Sequence, residues 1–194
     1  MRQRMEALVI PRWMMSNETV TLSEEAALVE RAAHDPEAMS LLFRQHHGPI
    51  ARYLLRRTGN HSVAEDLTSE VFLTMVRYLP RYRQRGTPFR SWLYRLATNQ
   101  VNRWARRQQR LKQQPMPELA CSREGINHEA AYLRHALLRV PLHFQNALAL
   151  HYLEELSVEE VATILGCALG TVKSRLARGR EVLRGILSKQ DGDQ

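Results

Sequence analysis

Thr171, Lys173, Ser174, Ala177 and Arg178 recur on one side of the segment that follows Gly166. Two cations, two hydroxyls and a small apolar residue in that register do not make or break bonds. They donate hydrogen bonds to base edges and phosphates, which is what the first turns of a recognition helix do in the major groove. The residues around them supply the frame. Ser157 and Glu160 form a capping box that starts a helix at Val158, in which the Ser oxygen and the Glu carboxylate each satisfy an orphan backbone N–H. Val158, Val161, Ala162 and Leu165 give that helix one apolar face, and Gly166 ends it in the left-handed conformation. After the turn Cys167-Ala168-Leu169, a second helix opens at Gly170 with Val172, Leu176, Val182 and Leu183 facing inward. Leu156 to Leu187 therefore reads as a helix-turn-helix.

Other reactive side chains lack the company that catalysis needs. Glu65, Asp66 and Glu70 lie close together but on a single helix, with no second acidic motif to complete a metal site. His46 and His47 have no partners at ligand spacing, and Cys121 and Cys167 belong to no CxxC or Cys/His pattern. The sequence predicts no enzyme, no metal and no cofactor. The formal net charge of +8 points to a polyanionic partner. Lysine occurs only at 112, 173 and 189, so arginine carries nearly all of the positive charge. No stretch approaches the roughly 18 apolar residues of a membrane span. The N-terminal MRQRMEALVIPRWMM is too interrupted for a signal peptide, so a cytoplasmic protein is expected.

The remaining elements are helical by their periodicity. Thr21 and Glu24 form a capping box for a short helix ending near His34, and Asp35-Pro36 restarts the chain. The next helix carries Ala38, Leu41, Leu42, Ile50, Tyr53 and Leu54 to a stop at Gly59, with a kink expected near His46 because Pro49 lies inside it. Ser62 and Glu65 suggest a capping box for a third helix, with Leu67, Val71, Phe72, Met75 and Val76 inward and Asp66, Glu70 and Arg77 outward. Beyond the basic loop Arg81 to Pro88, Trp92, Leu93, Leu96, Ala97, Val101 and Trp104 trace an apolar stripe. Arg95, Asn99, Asn102, Arg103 and Arg106 take the opposite face. No acidic residue occurs from Val71 through Pro117, so this stretch is an electrostatic track for a nucleic-acid backbone. Gln108 to Asn127 reads as a linker. After it come a helix over Glu129 to Arg139, with Ala130, Leu133, Leu137 and Leu138 as its apolar residues, and another from Pro141 with Phe144, Leu148 and Tyr152 on one side.

The predicted fold is all-α, with two small helical domains joined by a flexible linker. An extension covers 1–20, the first domain 21–107, the linker 108–127 and the second domain 128–194. A tether of about twenty residues spans about 25 Å and leaves the relative orientation of the domains unfixed.

Three segments, AEDLTSEVFLTMVRYL (Ala64 to Leu79), FRSWLYRLATNQVNRWARR (Phe89 to Arg107) and LSVEEVATILG…GTVKSRLARGR, occur in an order that resembles bacterial RNA polymerase sigma factors of the extracytoplasmic-function group of the sigma-70 family. Asp35 to Arg107 is similar to sigma region 2, and Glu129 to Leu187 to sigma region 4. The resemblance implies an alternative sigma factor that directs core RNA polymerase to promoters and helps to melt the −10 region. It implies docking of Asp66, Glu70, Val71 and Phe72 on the clamp of the polymerase β′ subunit, although Val71 and Phe72 equally suit a buried core. Arg81, Tyr82, Arg83, Arg85, Phe89, Asn99 and Arg103 match the segment that binds the −10 strand and captures a flipped base, at a cost of a few kcal/mol of unstacking. Thr171, Lys173, Ser174, Ala177 and Arg178 match positions that read the −35 element. Implied partners are core polymerase through its β′ clamp and β flap, promoter DNA and an anti-sigma factor. The competing reading is an autonomous helix-turn-helix regulator, which leaves the basic segment from Arg81 to Arg110 without a role.

Overall fold

The computed structural model describes residues 22–83, 87–111 and 128–191. Among them there is no strand, and no helix is long and apolar enough to cross a membrane. Four helices build the first half: α1 (Leu22–Ala32), α2 (Pro36–Thr58), α3 (His61–Tyr78) and α4 (Phe89–Leu111), with a 3₁₀ turn at Leu79–Arg81 between the last two. Thr21, expected to cap α1, lies outside the described residues.

Local chemistry sets most boundaries. Asp35 accepts from the Glu37 N–H at 2.9 Å and Pro36 occupies the first turn of α2, which then runs through Pro49 as one helix to Gly59. The start of α3 differs from the expected Ser62–Glu65 box. Asn60 is the cap, its side-chain oxygen accepting from the Val63 N–H at 3.0 Å. Asn is at least as good a cap as Ser, and from two residues upstream it serves the Val63 N–H and starts the helix at His61.

The first core gathers Leu42, Ile50, Tyr53, Leu54, Val71, Met75, Phe89, Leu93, Ala97 and Val101, all buried. Tyr53 is satisfied inside it by Thr98, with 2.9 Å between their hydroxyl oxygens. Leu41 and Val76, expected inward, are exposed instead. Periodicity marks an apolar face, whereas the width that neighbours cover is set by packing, and the edges of these two stripes stay in water.

The second half contains α5 (His128–Arg139), α6 (Leu142–Leu148) continuing into a π-helical turn (Ala149–Leu153), α7 (Val158–Leu165) and α8 (Leu169–Asp191). The capping box at Ser157 and Glu160 is present in both directions, and Gly166 sits at φ 63° as the α7 stop. Gly179 is needed for close approach of α8 to α6. A Cβ there would lie 3.1 Å from Leu148 Cδ1 and 3.2 Å from Phe144 Cβ. Leu133, Leu138 and Tyr152 are exposed on the helices before the helix-turn-helix.

The two halves, which the sequence reads as domains on a linker, touch each other. α7 lies against α4, and the α5 to α6 region lies against α2. Polar contacts between residues 60 to 98 positions apart make this seam, and no local pattern reports them.

Candidate nucleic-acid interface

α8 presents the expected row. Lys173, Ser174 and Arg178 are exposed, while Thr171 and Ala177 are half-buried. Val172 and Leu176 anchor the opposite side of the helix in the core. The Ser174 hydroxyl donates to the Thr171 carbonyl at 3.0 Å, which fixes its rotamer and leaves its lone pairs outward. Among the described residues no ion pair engages Lys173 or Arg178. Two unneutralised cations beside hydroxyls on the first turns of a helix fit a groove lined by phosphates and base acceptors. Arg180, two residues beyond Arg178, donates to the Tyr152 hydroxyl at 3.0 Å and braces α8 on the second half.

The second basic surface lies on α4 and the turn before it. Arg81 and Arg83 are exposed, and Arg83 bends back to donate to the Tyr82 carbonyl at 3.0 Å. Tyr82 is half-buried against Phe89 and Trp92, with ring centroids 5.3 and 4.7 Å away, and this burial pushes its phenol pKa up. Phe89 is fully buried, and its N–H donates to Glu25 at 2.9 Å. It therefore anchors the loop rather than offering its ring to a base, a correction to its expected direct contact. Trp92 and Trp104 pack against the core from partly buried positions. Arg85 lies outside the described residues. Asn99 and Arg103 are exposed on α4, about 15 and 21 Å along the helix from Phe89, so the residues form a track rather than one pocket.

Beneath the track lies His46, whose ring meets Phe89 at 5.4 Å. Burial, with a smaller contribution from the Arg90 charge, brings its pKa down to about 4, so the imidazole is neutral at physiological pH. Among the described residues no group of His, Cys, Asp and Glu could hold a metal ion.

The exposed side of α3 has a different chemistry. Asp66 and Glu70 are exposed, one helical turn apart. Val71 and Phe72 are buried in the first core and cannot line an outward docking face; of the two readings the sequence left open, the core is the one observed. In their place Leu73 and Val76 keep 68% and 50% of their surface in solvent. Asp66, Glu70 and Leu73 follow one another at helical spacing, giving a stripe that is acidic at one end and apolar at the other. Leu73 went unnoticed in the sequence because an exposed leucine and a buried one look alike in a periodic pattern.

Comparison with known proteins gives concordant matches in both halves. Residues 42–111 match the family model for Sigma-70 region 2, and residues 130–183 that for Sigma-70, region 4. The ECF RNA polymerase sigma factor SigE of Mycolicibacterium smegmatis is 38% identical over 162 residues, covering 78% of this chain and 62% of the relative. The RNA polymerase sigma-H factor of Pseudomonas aeruginosa is 30% identical over 185 residues, covering 84% of this chain and 94% of the relative. In fold, the chain is similar to CnrH solved with the cytosolic domain of CnrY, with a TM-score of 0.67 at 21% identity over 85% of this chain and 97% of that one. It is also similar to the sigma factor RpoE solved with the anti-sigma factor NepR from Bartonella quintana, with a TM-score of 0.61 at 22% identity over 77% of this chain and 96% of that one.

Proposed function

The chain belongs to the sigma-70 family as an alternative sigma factor of the extracytoplasmic-function group, a transcription-initiation factor and not an enzyme, and we propose how its surfaces divide that work. The α3 stripe of Asp66, Glu70, Leu73 and Val76 docks on the polymerase β′ clamp, and the second half docks on the β flap. Thr171, Lys173, Ser174, Ala177 and Arg178 on α8 read the −35 element. Arg81, Tyr82, Arg83, Arg85, Asn99 and Arg103 track the melted −10 strand, with Phe89 holding the loop from beneath. The protein works in the cytoplasm, where polymerase and promoters are found. An anti-sigma protein binds it, as the anti-sigma factor NepR binds the RpoE neighbour.

The observation that carries this reading is the α3 stripe. An autonomous DNA-binding regulator has no use for a bare Leu73 and Val76 beside Asp66 and Glu70 on an acidic face of a basic domain, whereas a partner helix that is basic and apolar would cover all four. The test is a pull-down of core polymerase by the Asp66→Lys/Glu70→Lys variant, with helix content followed by circular dichroism. The expected result is weakened capture by a folded protein. Full capture by that variant refutes the docking face.

A further inference from the structure

Arg57, in the last turn of α2, is the only charged residue buried among the described residues, at 2% exposure. Its guanidinium donates to the Tyr53 hydroxyl and to the Gln145 amide oxygen, both at 2.8 Å, and stands 5.6 Å from the centre of the Tyr53 ring. All of these partners are neutral. Nε has no acceptor among the described residues, and no ion pair engages the group there. Gln145 cannot turn away, because its amide nitrogen donates to the Leu137 carbonyl at 2.8 Å and so keeps the oxygen toward Arg57. The C-terminal end of α2 offers a cation partial negative charge, but a buried guanidinium needs a full one to offset its lost hydration.

Arg57 also forms part of the wall of a cavity of about 200 Å³ between α2, α4 and the α5–α6 junction. Among the described residues that line it, Arg57 is the single cation and none is acidic. Val101, Trp104, Val140 and Leu142 make the wall largely apolar, and Gln108 and Gln109, half-buried and exposed, mark its solvent side. An apolar cavity of about 150 Å³ accepts benzene, so this one has room for one ring with a polar group at one end. The wall selects what that group is. A phosphate dianion would leave one charge uncompensated against apolar side chains, whereas a carboxylate carries the single charge that one guanidinium matches, and its two oxygens fit the planar fork.

We propose that this cavity binds a small monocarboxylate with a single-ring apolar body, the carboxylate accepting from Arg57 where only neutral oxygens do so now, and the ring lying against Trp104. Such a ligand touches α2 and α4 on one side and the α5–α6 junction on the other. It therefore stabilises the contact between the halves by as much as it binds more tightly when they touch. None of the residues assigned above to DNA or to the β′ clamp lines the cavity, so the site does not rest on the function proposed above.

The test titrates sodium benzoate into the full, isotope-labelled chain and follows the Trp104 indole N–H and the Gln145 side-chain amide by nuclear magnetic resonance. One ring and one ion pair give a dissociation constant of about 1 mM, so both signals should shift and saturate by about 20 mM. Benzamide, with the shape but not the charge, and acetate, with the charge but no ring, should each bind at least about tenfold more weakly. Ala105→Phe fills the cavity from a half-buried position on α4 while keeping Arg57, and should abolish the saturable shifts. Arg57→Gln should abolish them too, and Ala105→Phe carries the test alone where that variant does not fold. Absence of saturable shifts in the wild type makes Arg57 a structural guanidinium only and overturns the site. An equal response to benzamide overturns the carboxylate. Shifts that persist in Ala105→Phe place benzoate on the basic surface outside the cavity, and overturn the site as well.

Discussion

Replacing Leu73 by Ala removes apolar surface that the described residues leave mostly in solvent. Complete burial of a leucine side chain is worth about 1.5–3 kcal/mol. With 68% of Leu73 in solvent, covering what remains should contribute about 1–2 kcal/mol to docking, which is a loss of about 5- to 30-fold in affinity on truncation. The fold should not notice, because Leu and Ala differ little in helix propensity and the side chain leaves no cavity behind. Competition of the variant against labelled wild-type protein for core polymerase gives the affinity ratio, and thermal unfolding monitors the fold. Val76→Ala should add a smaller loss, since that side chain is half covered already. A Leu73→Ala/Val76→Ala protein that competes within about twofold of wild type and melts at the same temperature would show that polymerase does not touch this stripe.

Arg178→Ala and Lys173→Ala should each weaken promoter recognition by about 1–3 kcal/mol if the side chain reads a base, and evenly across sequences if it touches phosphate. Transcription in vitro from intact and −35-altered promoters separates the two, and full activity for both variants would remove α8 from the interface. His46 makes stability depend on pH. Its pKa is lower in the folded chain, so its contribution is complete above its ordinary value of 6.5 and is lost as pH falls from there toward about 4. Between pH 7.5 and 5.0 the loss should be about 1–2 kcal/mol. His46→Phe keeps the ring against Phe89 and should remove that part of the loss, as urea unfolding of both proteins at the two pH values would reveal; equal losses would contradict it.

The helix-turn-helix was legible because its signals are local. Ser157 and Glu160 answer each other across three residues, and Gly166 takes a backbone conformation that few other residues accept. The start of α3 shows the limit of such reading. Ser62 and Glu65 have the spacing of a capping box, yet Asn60 takes the cap, and sequence gives no rule for choosing between two competent caps two residues apart. The docking stripe was half legible. Asp66 and Glu70 stand out as acids in a basic domain, but whether Val71 or Leu73 faces water depends on where α2 and α4 lie against α3. The seam was not legible at all. Arg56, Tyr94 and Arg90 find Glu154 and Glu160 across 98, 60 and 70 residues, and periodicity sees neither end of such a pair.

The central claim is that promoter recognition belongs to the complex with polymerase and not to the chain alone. Sequencing of genomic DNA fragments retained at physiological salt, by the free protein and by the protein with core polymerase, tests it directly. Weak, salt-sensitive and unselective retention is expected of the free chain, and with polymerase a set of fragments sharing two motifs at fixed spacing. Nanomolar retention of a single motif by the free chain, unchanged when polymerase is added, would contradict it.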